Sequence, residues 1–156
     1  MTVQILAGGA VIGVVTAVAV AMFHAAPGTR LSNAAQQLLE DLAFGRQASM
    51  QEQRVPHVVV FSLDTERYHV AIAADPDKPV ERLDGTVCQA DFRTGRLSDV
   101  VMRISSMGGD ARLGFGAYGQ LDQVSDAVIA LTLGKETVEI HIDARTGDTS
   151  LAVLGP

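Results

Sequence analysis

The chain has 156 residues, of which 47% are hydrophobic and 19% are charged, and its formal net charge is −6. This length fits one domain plus an appendage and argues against a two-domain enzyme, because single domains usually span about 100 to 150 residues. The apolar content excludes a disordered chain, which would lack the apolar surface that offsets ordering entropy. All charged side chains lie from Arg30 onward, and their acidic balance disfavours nucleic acid as a partner.

The first segment of the chain is an uncharged hydrophobic run from Val3 to Ala26. As a helix that rises about 1.5 Å per residue, it would cover roughly 36 Å, which suffices to span the hydrocarbon core of a bilayer. We therefore predict a retained membrane anchor over residues 1–29. Two alternatives stay open. One is a signal peptide cleaved at Ala19-Val20-Ala21, although a basic n-region is missing, and the other is a buried core helix.

Small residues recur at helical spacing along this hydrophobic segment. They are Gly9, Gly13, Ala17 and Ala21. Because such stripes let helices approach closely within a membrane, we predict that these four residues form a helix-packing contact. The alternative is that glycine and alanine are simply frequent in hydrophobic helices.

A second helix is predicted after Pro27-Gly28, which should kink or end the first one, because proline removes a backbone donor and glycine favours a break. It is predicted from about Asn33 to Gln53, with Ser32 or Asn33 as its N-cap. Its apolar residues recur at spacings of three and four positions, which predicts one buried face. Its predicted polar face is formed by Gln36, Gln37, Glu40, Asp41 and Gln47.

The rest of the chain is a succession of short segments rich in β-branched residues and separated by turn signals. Strands are predicted over 57–63, 67–73, 86–92, 99–104, 127–133, 137–142 and 150–154. The prolines of Asp75–Pro79 predict a loop, and the short turns between the last three strands predict an antiparallel meander. The predicted fold class is α+β. The hydrophobic N-terminal helix continues through the Pro-Gly kink into an amphipathic helix packed on an antiparallel β-sheet, with the folded domain over residues 30–156.

The residue types that carry chemistry form no recognisable constellation in the sequence. His24, His57, His69 and His141 lack metal-ligand spacing, and solvated positions are the favoured interpretation. The glycine-rich stretch 107–119 lacks the Gly-Lys-Ser/Thr of a phosphate-binding loop and predicts a flexible loop. Cys88, the single cysteine, is predicted to be buried and inert. We expect no catalytic residues, no metal site and no cofactor.

The predicted architecture resembles that of type IV pilins and their relatives. The stretch Ala34–Ser49, followed by Arg54-Val55-Pro56 and a strand, is similar to the AA-x-x-L-x-x-DL-x-x-AR-x-x-A helix of the GspH/FimT-like minor pseudopilins. The C-terminal part is similar too, from Leu113-Gly114-Phe115 and Gly119 to the Ala144-Arg145-Thr146-Gly147 ending. The resemblance spans roughly residues 34 to 151.

The resemblance implies a minor pseudopilin, a structural and non-enzymatic subunit of a type II secretion system or a type IV pilus-like pseudopilus involved in protein secretion. It implies a single-pass inner-membrane location with an extracytoplasmic C-terminal domain. The implied partners are other pilin or pseudopilin subunits through the N-terminal helix, inner-membrane lipid and exported protein cargo. The alternative is a membrane-tethered or secreted pilin-like binding module that does not enter a filament.

The start of the chain departs from the family pattern. Prepilins carry a short basic leader and a G-F-T-L-x-E motif at the cleavage site, and Met1-Thr2-Val3-Gln4 does not match it. Met1-Thr2-Val3 is instead similar to the residues directly after the motif's glutamate. We therefore expect that Met1 is an internal methionine or that the chain begins just inside the motif, and the upstream genomic sequence tests this expectation.

Overall fold

The computed structural model describes residues 30–107 and 110–154. Within these ranges one long α-helix, α1 (Arg30–Gln51), precedes nine strands and a short 3-10 helix, Gly95–Leu97. None of the helices in this part of the chain is long and apolar enough to cross a membrane. The predicted hydrophobic helix, its Pro-Gly kink and the four helix-packing residues Gly9, Gly13, Ala17 and Ala21 lie outside the described residues.

The strands form two antiparallel sheets. The first sheet contains β1 (His57–Ser62), β2 (Arg67–Ile72), β3 (Asp75–Pro79), β4 (Gln89–Asp91) and β6 (Arg112–Gly114). The second contains β5 (Val101–Ser106), β7 (Ala127–Leu133), β8 (Glu136–Ile142) and β9 (Thr149–Leu154). The first sheet has the order β3-β2-β1-β6, with β4 also paired to β2, and the second has the order β5-β7-β8-β9. One helix packed on antiparallel sheets confirms the predicted α+β class.

Helix α1 packs against both sheets through its apolar face, with contacts to β1, β2, β7 and β8. The apolar spacing of three and four positions places Leu38 and Leu42 on this face, and both are fully buried. Asp41 lies on the same face with only 2% of its surface exposed. Its assignment to the polar face was therefore wrong, because partners from distant parts of the chain satisfy its carboxylate within the core.

The C-terminal meander is the most regular part of the fold. Alternate residues of β7 and β8 are buried, namely Ala127, Ile129, Leu131, Val138, Ile140 and Ile142. The register pairs Ile129 with Ile140, so the two strands present one continuous apolar face to the core. Strand β9 continues the antiparallel pairing along β8, which confirms the predicted meander.

Two segments that were predicted as loops form strands. Asp75–Pro79 is the edge strand β3, whose prolines are tolerated because an edge strand need not use all its backbone donors. Arg112–Gly114, within the predicted flexible stretch 107–119, pairs with β1 as β6. Both predictions were wrong for the same reason. These strands depend on pairing with a long, well-formed neighbour and carry little β-propensity of their own.

Candidate functional site

A buried polar cluster joins α1 to β2 and to the segment that follows β3. Tyr68 donates its hydroxyl hydrogen to Asp41 Oδ2 over 2.8 Å. Arg82 donates from Nη2 to Asp41 Oδ1 over 2.6 Å and from Nε to Cys88 Sγ over 3.3 Å. Asp41 therefore holds both a core strand and a surface segment against the helix.

Burial raises the pKa of two groups in this cluster, the Tyr68 hydroxyl and the Cys88 thiol. The Asp41 side chain is 3% exposed, whereas the Arg82 side chain is 31% exposed. Burial, and secondly the charge of Asp41, raises the pKa of the Tyr68 hydroxyl well above its usual value. Burial also raises the pKa of the Cys88 thiol, although the hydrogen bond from Arg82 opposes this. Cys88 is therefore a buried, protonated thiol, and the prediction of its burial is confirmed.

A polar groove of about 440 Å³ lies beside this cluster. It is lined by Asn33, Gln36 and Glu40 of the helix and by Arg82 and Arg96 from outside the helix. Small-molecule pockets are mostly apolar with a few polar groups, whereas this lining is dominated by amide and charged side chains. The groove therefore lacks the apolar character of a small-molecule pocket.

A second ionic contact ties the C-terminal half of α1 to the turn before β9. Arg46 Nη1 lies 2.9 Å from Asp148 Oδ1. The preceding residue of the turn, Gly147, has a φ of +71°, and a Cβ there would collide with the carbonyl oxygen of Gly119. Glycine is required at this position by both the left-handed backbone and the close approach. Arg46, Gly119 and Gly147 belong to the stretches that resemble minor pseudopilins, and the fold brings all three together.

The fold separates the three histidines of the described residues, and His24 lies outside these residues. His57 is only 5% exposed, so its predicted solvated position was wrong, because β1 lies between β2 and β6 in the middle of its sheet. His69 Nε2 lies 2.7 Å from the Pro76 carbonyl oxygen. His141, on the other sheet, lies 3.1 Å from Glu139 Oε2. Among residues 30–107 and 110–154, no group of three or more His, Cys, Asp or Glu side chains could hold a metal ion.

The sequence prediction missed the cluster around Asp41. The available signal was the position of Asp41 between the buried Leu38 and Leu42, where a carboxylate requires a partner. The sequence could not identify that partner, because Arg82 follows 41 residues later in a segment without regular periodicity.

One long helix packed across two antiparallel sheets is the architecture with which the comparisons start. No family model matches the chain, and no curated protein gives a significant sequence match. Solved structures do match. The minor pseudopilin EpsH from the type 2 secretion system of Vibrio cholerae superposes on 81% of this chain and 98% of its own, with a TM-score of 0.59 at 13% identity. The type IV minor pilin FimU of Pseudomonas aeruginosa covers 78% of this chain and 87% of its own, with a TM-score of 0.59 at 16% identity.

The chain thus has a GspH/FimT-like pilin fold, and the resemblance stated from its helix and C-terminal motifs is confirmed at the level of the fold. A second crystal form of FimU gives the same result with a TM-score of 0.52 at 14% identity. The chain therefore shares its fold with a minor pseudopilin and with a minor pilin.

Proposed function

We propose that the chain is a minor pilin-like subunit, specifically a minor pseudopilin of a type II secretion system or of a related type IV pilus-like machine. The observation that carries this proposal is the pilin fold of the described domain, whose helix starts just after the uncharged hydrophobic run Val3–Ala26. A pilin fold joined to a segment long enough to span a bilayer is the arrangement expected of such a subunit.

The proposed mechanism is assembly. The segment 1–29 holds the subunit in the inner membrane and then packs against the equivalent helices of neighbouring subunits. Because lipid tails are as apolar as the helix, this association must be stabilised by close van der Waals packing. Small side chains at Gly9, Gly13, Ala17 and Ala21 permit such packing, while the folded domain faces partner subunits or exported cargo.

Substitution of Gly13 tests this proposal. We expect Gly13→Leu to reduce co-purification of partner pilin-like subunits from membranes, because a bulky side chain separates the helices. The matched control is Val15→Leu, two positions away and off the small-residue stripe. Circular dichroism should show an intact α+β domain in both variants. Unchanged co-purification of partner subunits with the Gly13→Leu variant would contradict the proposed contact. If the wild-type chain is membrane-bound but no pilin-like subunit co-purifies with it, the protein would instead be a tethered binding module.

A further inference from the structure

The end of the domain at which α1 begins is built from several segments distant in sequence. Arg30 Nη1 donates to Asp99 Oδ2 over 2.6 Å, so the residues before β5 lie beside the start of α1. The β1–β2 turn reaches the same end, because Glu66 Oε2 accepts a hydrogen bond from the Met102 amide over 2.7 Å. The second sheet ends here as well, through a cross-strand row that consists of Val101, Thr132, Thr137 and Leu154. We call this region, formed by residues 30, 63–67, 91–102, 132–137 and 153–154, the base.

Exposed apolar side chains are concentrated at the base. Of the eight large hydrophobic side chains that are exposed in the described residues, four lie there, namely Val153 (64% exposed), Leu154 (46%), Leu63 (39%) and Val101 (39%). Val153 is the cross-strand neighbour of Val138, which is only 3% exposed. The row of side chains that face the core is therefore buried on β8 but exposed on β9, the last strand of the sheet. Grouped exposed apolar residues on a soluble surface mark a place where something else binds.

The base also differs from the rest of the chain in its net charge. It carries as many basic as acidic residues: Arg30, Arg67, Arg93, Arg96 and Lys135 against Asp64, Glu66, Asp91, Asp99 and Glu136. The net charge of −6 therefore belongs entirely to the remainder. At the base, Asp99 is paired with Arg30 and Asp91 with Arg67. Arg93 and Arg96 are exposed and form no ion pair within the described structure.

We propose that the base rests on the surface of the bilayer, with Val153 and Leu154 at the interface and Arg93 and Arg96 at lipid phosphates. This inference rests on the proposed membrane anchor over residues 1–29. Three residues lie between Ala26 and Arg30, so even if these four steps of the chain are fully extended, the base is held within about 14 Å of the end of the hydrophobic run. The headgroup zone itself is roughly 5 to 8 Å thick, so the base is held close to the surface of the bilayer.

The chemistry of the base suits a lipid surface. Interfacial surfaces combine apolar side chains that enter the headgroup boundary with arginine or lysine side chains that meet phosphate. A neutral base approaches an anionic bilayer without the repulsion that the acidic remainder of the domain would meet. The domain would therefore sit upright, with its distal end, where α1 terminates and β9 begins, directed away from the membrane.

Fluorescence quenching in nanodiscs tests this orientation on the full chain. A fluorophore on Val153→Cys is compared with one on Val124→Cys, a valine that is 102% exposed near the distal end. Cys88 is buried and does not compete for the label. With nitroxide-headgroup lipid in a phosphatidylglycerol-containing nanodisc, we expect quenching several-fold stronger at position 153 than at position 124. Equal, weak quenching at both positions in an inserted chain would overturn the proposal.

Charge reversal supplies an independent readout. The double variant Arg93→Glu, Arg96→Glu should lower the ratio of docked to undocked domain in anionic nanodiscs by roughly fivefold for each arginine removed. Arg145→Glu, at the distal turn before β9, is the matched control and should change nothing. An unchanged ratio in the double variant would refute the role of the two arginines.

Two further outcomes separate this inference from the proposed function. Alkaline carbonate extraction tests membrane insertion independently of any contact between the base and the bilayer. Release of the chain from the membrane would contradict the proposed anchor and, with it, the proposed position of the base. A base that becomes protected from solvent only when partner subunits are added would overturn the bilayer contact and leave the anchor intact.

Discussion

Two of the ionic contacts that hold helix α1 to the rest of the domain differ in their surroundings. In the Asp41–Arg82 pair the side chains are 3% and 31% exposed, whereas in the Arg46–Asp148 pair Asp148 is 48% exposed. The distances are similar, 2.6 and 2.9 Å. Removal of one partner from a buried pair leaves groups that neither water nor protein satisfies, whereas an exposed pair is replaced by water and screened by salt. The comparison shows that burial and shared partners, more than distance, determine what a salt bridge contributes.

The largest expected effect in this comparison belongs to Asp41→Ala. The substitution leaves the buried Tyr68 hydroxyl without its acceptor and Arg82 without its carboxylate, and we expect a loss of about 3 kcal/mol in the free energy of unfolding. Arg82 is partly exposed and regains water, which keeps the loss at the low end for a buried pair. Urea unfolding measures the change, with Glu40→Ala on the exposed face as the control. A loss below about 1 kcal/mol would show that the cluster behaves as a surface pair.

Tyr68→Phe should have the next largest effect. It keeps the ring packing against Phe61 and Phe92, at centroid distances of 6.1 and 5.8 Å, and removes only the hydroxyl. We expect a loss of about 1 to 2 kcal/mol, because one hydrogen bond to a charged acceptor disappears while Asp41 keeps Arg82. Tyr118→Phe, at an 81% exposed position, is the control and should be neutral. A loss equal to that of Asp41→Ala would mean that Arg82 adds nothing to the cluster.

Alkaline pH should weaken the buried cluster. In the unfolded chain the thiol and the phenol lose their protons near their ordinary pKa values of 9.0 and 10.0, while burial raises the pKa of both Cys88 and Tyr68 in the folded state. The unfolded state then binds fewer protons, so stability is complete below about pH 9 and falls as the pH rises towards the folded-state pKa values. Urea midpoints between about pH 7 and about pH 11 measure this fall. Tyr68→Phe should make it shallower, and an identical slope in the variant would contradict the assignment.

Asp148→Ala should have the smallest effect. Its carboxylate is half exposed, so we expect a loss below about 1 kcal/mol that shrinks further at high salt. The unfolding midpoint at low and high ionic strength tests this. If Asp148→Ala destabilised the domain as much as Asp41→Ala, burial would not be the variable that separates the two contacts.

The regular elements of the fold could be predicted because local sequence patterns mark them. Apolar spacings of three and four positions identify α1, and segments rich in β-branched residues between turn signals identify β7 and β8. Strands β3 and β6 could not be predicted, since a Pro-rich edge and a three-residue strand acquire their conformation from β2 and β1. Pairing with a neighbour is a tertiary property that no local pattern records.

Less of the candidate site than of the fold could be predicted from the sequence. The resemblance pointed to the stretches that contain Asp41, Arg46 and Gly147, but not to the contacts that each residue makes. Arg82 is brought to Asp41 by the folding of an irregular segment, so its role depends on tertiary structure alone. The helix-packing stripe at Gly9, Gly13, Ala17 and Ala21 stays a prediction.

The most direct test of the central claim is the recovery of the full-length protein from its native membranes, followed by identification of the proteins that co-purify with it. We predict that the chain resists alkaline carbonate extraction and co-purifies with other pilin-like subunits. A chain recovered as a monomer in the soluble fraction, with no such subunit bound, would contradict it.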